Sequence, residues 1–218
     1  TKKLMVHSKT YKIKEIFSSI QGEGFHTGHP AIFCRFVGCN LWSGLEKDRP
    51  TAACRFCDTN FRGMNGTNGG RYTVEELVQT LQSLWSGEDK PFIVFTGGEP
   101  LLQLDSTLIQ ACKKAGMFLA VETNGTQALP EGLDWVCVSP KPRSKMLVSK
   151  ASEIKLIYPQ QEEEMHPSHF RSFDAEHFYL QPMDNIHQDE NTELTKEFCR
   201  QNPHWKLSIQ THKELGVP

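Results

Sequence analysis

Five short apolar runs, each followed at once by a distinctive polar group, limit the folds open to this chain more than any other feature. Residues 92–95 lead into Thr96-Gly97-Gly98-Glu99-Pro100, 118–121 into Glu122-Thr123-Asn124-Gly125, and 135–138 into Ser139-Pro140-Lys141. Residues 178–180 lead into Gln181-Pro182-Met183-Asp184, and 206–209 into Gln210-Thr211-His212. Further strands are expected over 31–37 and 154–158. Thr73-Val74-Glu75-Glu76 reads as a capping box opening a helix, with Val74, Leu77, Leu81 and Leu84 at helical spacing. A second helix, capped near Asp105, presents Leu108, Ile109 and Cys112 and ends at Gly116; a third spans about 193–201. Strands separated by helices imply a parallel sheet, and the carboxyl ends of parallel strands share one rim. The chain's 218 residues are too few for a complete eight-fold barrel, and residues 141–153, with Pro142, show no amphipathic helix. The expected fold is α/β, an open, partial (βα) barrel with about six core parallel strands and a reduced helix set. It is expected to form a single domain over 1–218, with 1–10 as an extra N-terminal segment.

A formal net charge of −2 excludes a general affinity for nucleic acid or anionic membrane. No apolar run is long enough to span a bilayer, and the Lys-rich start lacks a signal-peptide core, so a cytoplasmic location is expected. Seven cysteines, an odd number with three clustered, read in a reducing compartment as metal or redox chemistry rather than a disulfide framework. Cys34, Cys112, Cys137 and Cys199 lie in apolar periodic segments and read as buried packing.

The clustered cysteines are Cys39, in Cys39-Asn40-Leu41-Trp42, and Cys54 and Cys57, in Cys54-Arg55-Phe56-Cys57-Asp58-Thr59. Fourteen residues separate the first two and two the second pair. Three thiolates leave one metal position open, as a catalytic centre requires. A zinc-stabilised loop would need a fourth ligand, for which Cys34 or His26 is the candidate. An iron–sulfur cluster would leave one iron free for an exogenous ligand. Both remain open on the cysteines alone.

Joined to Gly97-Gly98-Glu99-Pro100 after a strand, the three-cysteine loop resembles the radical S-adenosylmethionine superfamily, whose partial barrel matches the expected fold. Glycines let backbone approach the methionine part of that cofactor, and a carboxylate can accept from its ammonium. Most members space the first two cysteines more tightly; the long insert here, with Trp42, Lys47 and Arg49, points to one branch. Gln21-Gly22-Glu23-Gly24, Arg35, Cys57-Asp58-Thr59, Thr96, Ser139-Pro140-Lys141, Gln181-Pro182-Met183-Asp184 and Gln210-Thr211-His212-Lys213 together are similar to the 7-carboxy-7-deazaguanine synthase family. The resemblance runs from about residue 11 to the last residue.

That resemblance implies conversion of 6-carboxy-5,6,7,8-tetrahydropterin to 7-carboxy-7-deazaguanine with loss of ammonia, a step toward queuosine and other deazapurines. A 5′-deoxyadenosyl radical would take hydrogen from C6 of the substrate, and S-adenosylmethionine would be regenerated. By the same resemblance Cys39, Cys54 and Cys57 hold a [4Fe-4S] cluster, and the Thr59 hydroxyl coordinates Mg2+, a hard cation suited to oxygen. Gly98, Ser139, Pro140, Lys141, Gln181, Pro182, Met183 and Asp184 match positions contacting S-adenosylmethionine. Ile20, Gln21, Gly22, Glu23, Arg35, Thr96, His212 and Pro218 match substrate positions, Arg35 suiting a carboxylate and Glu23 the N–H edge of a pterin. The last proline, Pro218, is placed with its carboxylate against the pterin. The implied partners are the pterin and a second copy in a homodimer; the chemistry also needs an electron donor, a part that an acidic flavodoxin could fill though the sequence does not name it. Two rival readings differ in their needs. A glycyl-radical activating enzyme shares the Gly-Gly-Glu-Pro string but has tighter cysteine spacing and acts on a protein. A zinc- or cluster-stabilised binding module uses no S-adenosylmethionine.

Overall fold

The computed structural model describes residues 9–218, so most of the expected 1–10 segment lies outside the described residues. The chain opens with β1 (Tyr11–Ile20), turns back as β2 (Pro30–Phe36), and continues through the short β3 (Gly70–Tyr72) into α1 (Val74–Leu84). Next come β4 (Phe92–Gly97), α2 (Ser106–Lys114), β5 (Phe118–Thr123), β6 (Trp135–Val138) and β7 (Lys150–Tyr158). The last elements are β8 (Asp174–Pro182), α3 (Gln188–Gln201), β9 (Lys206–Leu207) and α4 (Thr211–Leu215). One nine-stranded sheet runs in the order β3-β1-β2-β4-β5-β6-β7-β8-β9. β1 is antiparallel to both its neighbours, and every pair from β2 onward is parallel. The sheet is an open, partial barrel, as the strand pattern predicts.

β1 is a ten-residue strand that the apolar pattern did not announce. A register shift between Ile13 and Glu15 breaks its alternation, and Lys14 is buried there with its ammonium on Asn65 Oδ1 at 2.6 Å. β7 and β8 are longer than expected because polar residues occupy alternate positions along them. β9, by contrast, stops at Leu207, so the Gln210-Thr211-His212 group sits at the start of α4 and not directly at a strand end. Residues 141–149 between β6 and β7 contain no helix, as expected; the backbone N–H groups of Leu147 and Val148 bond Gly125 O at 2.7 and 3.1 Å.

The capping box at α1 is present. The Thr73 hydroxyl accepts from Glu76 N–H at 3.3 Å, and the Glu76 carboxylate accepts from Thr73 N–H at 2.8 Å. Leu77 and Leu81 of α1 and Leu108, Ile109 and Cys112 of α2 pack on the outer sheet face against Ile13, Ile16, Cys34, Ile93, Phe95 and Val121. α3 and Trp205 lie near the outer face of β7 and β8, where Ile154, Leu156, Phe178 and Leu180 are buried.

The inner face is layered along the strands. At the amino ends Phe92, Phe118 and Trp135 form an aromatic floor with His26, whose ring is 4.5 Å from that of Trp135. At the carboxyl ends the inward side chains become polar: Thr96 on β4, Glu122 on β5, Lys155 on β7 and Gln181 on β8 all line one cavity. The C-terminal segment lies against the β1–β2 turn across the open side. Gly24 N–H donates to Ser208 Oγ at 2.9 Å, Thr211 N–H to Gly22 O at 3.1 Å, and the Ser19 hydroxyl to Pro218 O at 2.6 Å.

Asp105 ties α2 to the β1 edge, accepting from Leu108 N–H at 3.0 Å and from the Tyr11 hydroxyl at 2.8 Å. Asp105→Ala is expected to cost about 1–2 kcal/mol, from the lost cap and the stranded phenol. A urea titration should show a lower midpoint with an unchanged slope.

Candidate active site

A cavity of about 570 Å³ opens at the carboxyl rim, with the three clustered cysteines on one wall. The insert between Cys39 and Cys54 folds back over that wall. Its residues Glu46–Thr51 form a 3-10 turn, and Trp42, Ala52 and Phe61 pack together against Cys39 and Cys57. The Arg49 guanidinium lies 4.0 Å from the Trp42 ring centroid and donates to the carbonyls of Arg55 at 2.8 Å and Cys57 at 3.0 Å. Leu41 N–H points at Cys39 Sγ at 3.4 Å, and Asn40 reaches across to Asn124 and Thr126 at 3.1 and 2.8 Å. Interaction between the neighbouring Cys54 and Cys57 side chains lowers the Cys57 pKa and raises that of Cys54, and the Lys141 ammonium favours the thiolate at both. Burial raises Cys39. Among the described residues no three His, Cys, Asp or Glu side chains are grouped tightly enough to chelate a single ion.

The glycine turn after β4 closes on the cysteine loop. A Cβ at Gly98 would fall 2.2 Å from Gly38 O and 2.8 Å from Cys39 Cβ, so only glycine lets these two backbones meet. Glu99, from the same turn, points away from the cavity. Fully buried, it accepts from the Thr123 hydroxyl and Asn124 N–H at 2.8 Å each and from Leu101 N–H at 3.0 Å, bracketing the ends of β4 and β5. Burial raises its pKa against those bonds. Its carboxylate thereby ties these two strand ends together. Ser139 and Lys141 line the cavity, the ammonium held by Ser139 O and Oγ at 2.8 and 2.7 Å.

The opposite end of the cavity is a dense polar network. Glu23 pairs with Lys155 and accepts from Gln181 at 3.1 Å and Gln210 at 3.0 Å. Glu122 accepts from Gln21 at 3.1 Å and from the Thr96 hydroxyl at 3.2 Å, with Lys155 Nζ at 3.9 Å. Burial would raise Glu23, but the Lys155 ammonium, Gln210 and His212 outweigh it, and the group is lowered. Arg35 lines the cavity with its Nε on Glu15 at 2.8 Å. Lys213 joins Asp58 at 2.8 Å and Asp184, tying α4 to the cysteine loop and to the end of β8. Thr59 lines the cavity, and its hydroxyl donates to Asp58 Oδ1 at 3.3 Å.

Cys39, Cys54, Cys57, Thr59, Gly98, Ser139, Lys141, Gln181, Pro182, Met183 and Asp184 thus come together, as do Ile20, Gln21, Glu23, Arg35, Thr96, His212 and Pro218. Gly22 and Pro140 do not line the cavity. Gly22 lies beneath His212, where a Cβ would be 2.1 Å from Nδ1, and Pro140 is buried behind Ser139. Of the cysteines read as packing, Cys34 and Cys112 are fully buried, Cys137 is buried but reaches the cavity wall, and Cys199 is half-buried.

Against known proteins, residues 49–139 match the Radical SAM superfamily. The chain is 49% identical over 211 residues to 7-carboxy-7-deazaguanine synthase of Burkholderia multivorans and 50% identical over 211 residues to that of Caulobacter vibrioides. Each alignment covers 96% of this chain and all of the relative. The chain belongs to the 7-carboxy-7-deazaguanine synthase family. The crystal structure of QueE from Escherichia coli superposes with a TM-score of 0.71 at 27% identity, covering 93% of this chain and 95% of the other.

Membership in this family implies a [4Fe-4S] cluster and S-adenosylmethionine, and the residues present fit them. Three soft thiolate donors share a wall with a backbone surface that Gly98 keeps free of side chains, and the harder donors lie farther along the cavity. Sequence reasoning missed Glu15 and Lys155 of this synthase-family pocket, and it gave no role to Glu122 and Lys213, although both stand in motifs it singled out. The signal existed in β5 and β7: Glu122, Glu153 and Lys155 alternate with Val121, Ile154 and Leu156, the pattern of a strand with a polar inner face.

Arg49→Ala should release two carbonyls of the Cys54–Cys57 turn and uncover Trp42. At about 1–2 kcal/mol for the lost anchors, the ordered loop becomes roughly tenfold rarer. Iron retained per chain after air exposure should fall while far-ultraviolet dichroism is unchanged. Arg49→Lys should restore it only in part, since one ammonium can reach both carbonyls but cannot stack on Trp42 or hold Glu46 through two parallel bonds as the planar fork does.

Proposed function

We infer that this chain is a radical S-adenosylmethionine lyase that converts 6-carboxy-5,6,7,8-tetrahydropterin to 7-carboxy-7-deazaguanine with loss of ammonia, in deazapurine and queuosine biosynthesis. The observation that carries this is one cavity joining three cysteines to a polar pocket, in a chain half identical to synthases over their whole length. The cluster and S-adenosylmethionine, when bound, supply hydrogen abstraction from C6 of the substrate.

The chain's own residues do the rest. Cys39, Cys54 and Cys57 hold the cluster, while Gly98, Ser139, Lys141 and Gln181–Asp184 cradle S-adenosylmethionine beside it. Pro140 stiffens that cradle from behind. Glu23 is an acceptor for the N–H edge of the pterin, and Gln21, Thr96, His212, Ile20 and Pro218 frame it, with Gly22 giving His212 room. Arg35, aimed by Glu15 through its Nε, takes the substrate carboxylate. Thr59 donates its hydroxyl oxygen to Mg2+, which keeps other, non-protein ligands. The Trp42–Phe61 cover and the aromatic floor exclude water. The enzyme is further proposed to be one domain, to pair as a homodimer, to draw electrons from a flavodoxin-type donor and to work in the cytoplasm. No helix among the described residues is long and apolar enough to cross a membrane.

Anaerobic reconstitution with iron and sulfide, followed by turnover of the carboxypterin, tests the assignment; absence of 7-carboxy-7-deazaguanine would refute it. In the same preparation Arg35→Ala should weaken carboxypterin binding by about 1.5–3 kcal/mol while sparing S-adenosylmethionine. Equal losses for both ligands would make Arg35 structural. Thr59→Val should keep its iron but lose the response of turnover to Mg2+, and an unchanged Mg2+ titration would remove Thr59 from the metal site.

A further inference from the structure

We propose that Lys155 is a positioning residue of the substrate pocket: its ammonium keeps Glu23 ionised beside Glu122, as an acceptor-only wall for a substrate edge rich in N–H donors. The inference rests on the pterin reading above. Its basis is a cluster of carboxylates gathered around one ammonium.

Lys155 is central in β7, with its side chain only 6% exposed. It meets Glu23 directly from the β1–β2 turn and stands 3.9 Å from Glu122 of β5. Glu153, on the same face of β7 and 4% exposed, adds a third carboxylate; it holds the turn by accepting from Phe25 N–H at 2.9 Å. The other titratable groups facing this knot are Cys137 from β6, Tyr179 from β8, His212 from α4 and, beneath it, His26 of the β1–β2 turn, which burial keeps from charging. The cavity's remaining Lys and Arg side chains are engaged elsewhere: Lys14 on Asn65, Arg35 on Glu15, Lys141 on Ser139, and Lys213 on Asp58 and Asp184. Among the described residues, then, three carboxylates share one ammonium.

Both substrate-facing carboxylates are built to stay acceptors. Glu23 receives Gln181 and Gln210, and Glu122 receives Gln21 and Thr96. A proton on either would set a hydroxyl against these donors and present a donor to the ligand. Removing the only shared cation would bring that about, because like charges held close in a buried site do not both ionise near neutrality. Glu23 is lowered and Lys155 raised well above its ordinary value, despite burial that opposes both.

The test uses reconstituted holoenzyme with S-adenosylmethionine under anaerobic conditions, with carboxypterin affinity measured from about pH 6 to about pH 9. Wild type and Lys155→Arg should bind with little pH dependence. Lys155→Met should bind roughly tenfold or more weakly at the acid end and recover as pH rises and the freed carboxylate deprotonates. In Glu153→Gln/Lys155→Met, which removes a neighbouring negative charge, the recovery should shift to lower pH. That double variant buries fewer unpaired charges and serves if the single one does not fold. Infrared difference spectra of substrate-free protein should show a protonated-carboxyl band near neutral pH in the Met variants that wild type lacks. A loss of affinity equal at every pH, or unchanged affinity, with no such band, overturns the proposal. A wild-type enzyme that binds no carboxypterin would sink the pterin reading instead, and the infrared band would still decide the role of Lys155.

Discussion

Parallel pairing from β2 to β9 is the constraint on which the rest depends. It sends the carboxyl end of each of these strands to one rim, so residues far apart in sequence become neighbours without a dedicated scaffold. Cys39 follows β2, Gly98 follows β4, Glu122 and Ser139 follow from β5 and β6, and Gln181 ends β8. The antiparallel pair β1–β2 adds the turn bearing Gln21 and Glu23, and the C-terminal segment docks on that turn. An open sheet with this edge needs such a cover, and here the cover carries His212 and Pro218 into the cavity.

The inner face shows why one cavity can serve two chemistries. Its floor is aromatic and its rim polar, so the strands change character along their length. The cysteine wall is sheltered by Trp42, Phe61 and the Arg49-braced insert. The far wall is a hydrogen-bonded network in which every carboxylate named above has a donor. Buried charge is tolerable only under such pairing, and the pairing in turn fixes which polarity each wall presents to a ligand. Glu99 illustrates the cost of holding the rim together: a carboxylate in the most recognisable motif of the chain serves as a bracket between β4 and β5.

The elements with a clean period were legible in advance. The Thr73 capping box, the Asp105 cap, and the apolar runs of β4, β5 and β6 needed no tertiary information. The same holds for the cysteine spacing and the polar groups after each run. β1 was hidden by its bulge and by a buried Lys14, and the extents of β7 and β8 by polar residues at inward positions. Charged residues on a strand ordinarily suggest solvent; here the inside of the barrel is the polar side, a reversal that local pattern cannot reveal.

What the sequence by itself determined is the chemistry on offer: three soft ligands with a vacancy, a backbone stripped of side chains at Gly98, and a rim of polar groups at strand ends. These follow from residue type and spacing, which are local. Only the tertiary structure decided which partners those groups have. It turned Glu99 away from the cavity, gave Glu15 to Arg35 and Lys155 to Glu23, and brought α4 against the cysteine loop through Lys213. Such pairings join residues tens to more than a hundred positions apart, and their strength depends on burial and distance, quantities that exist only once the strands are side by side.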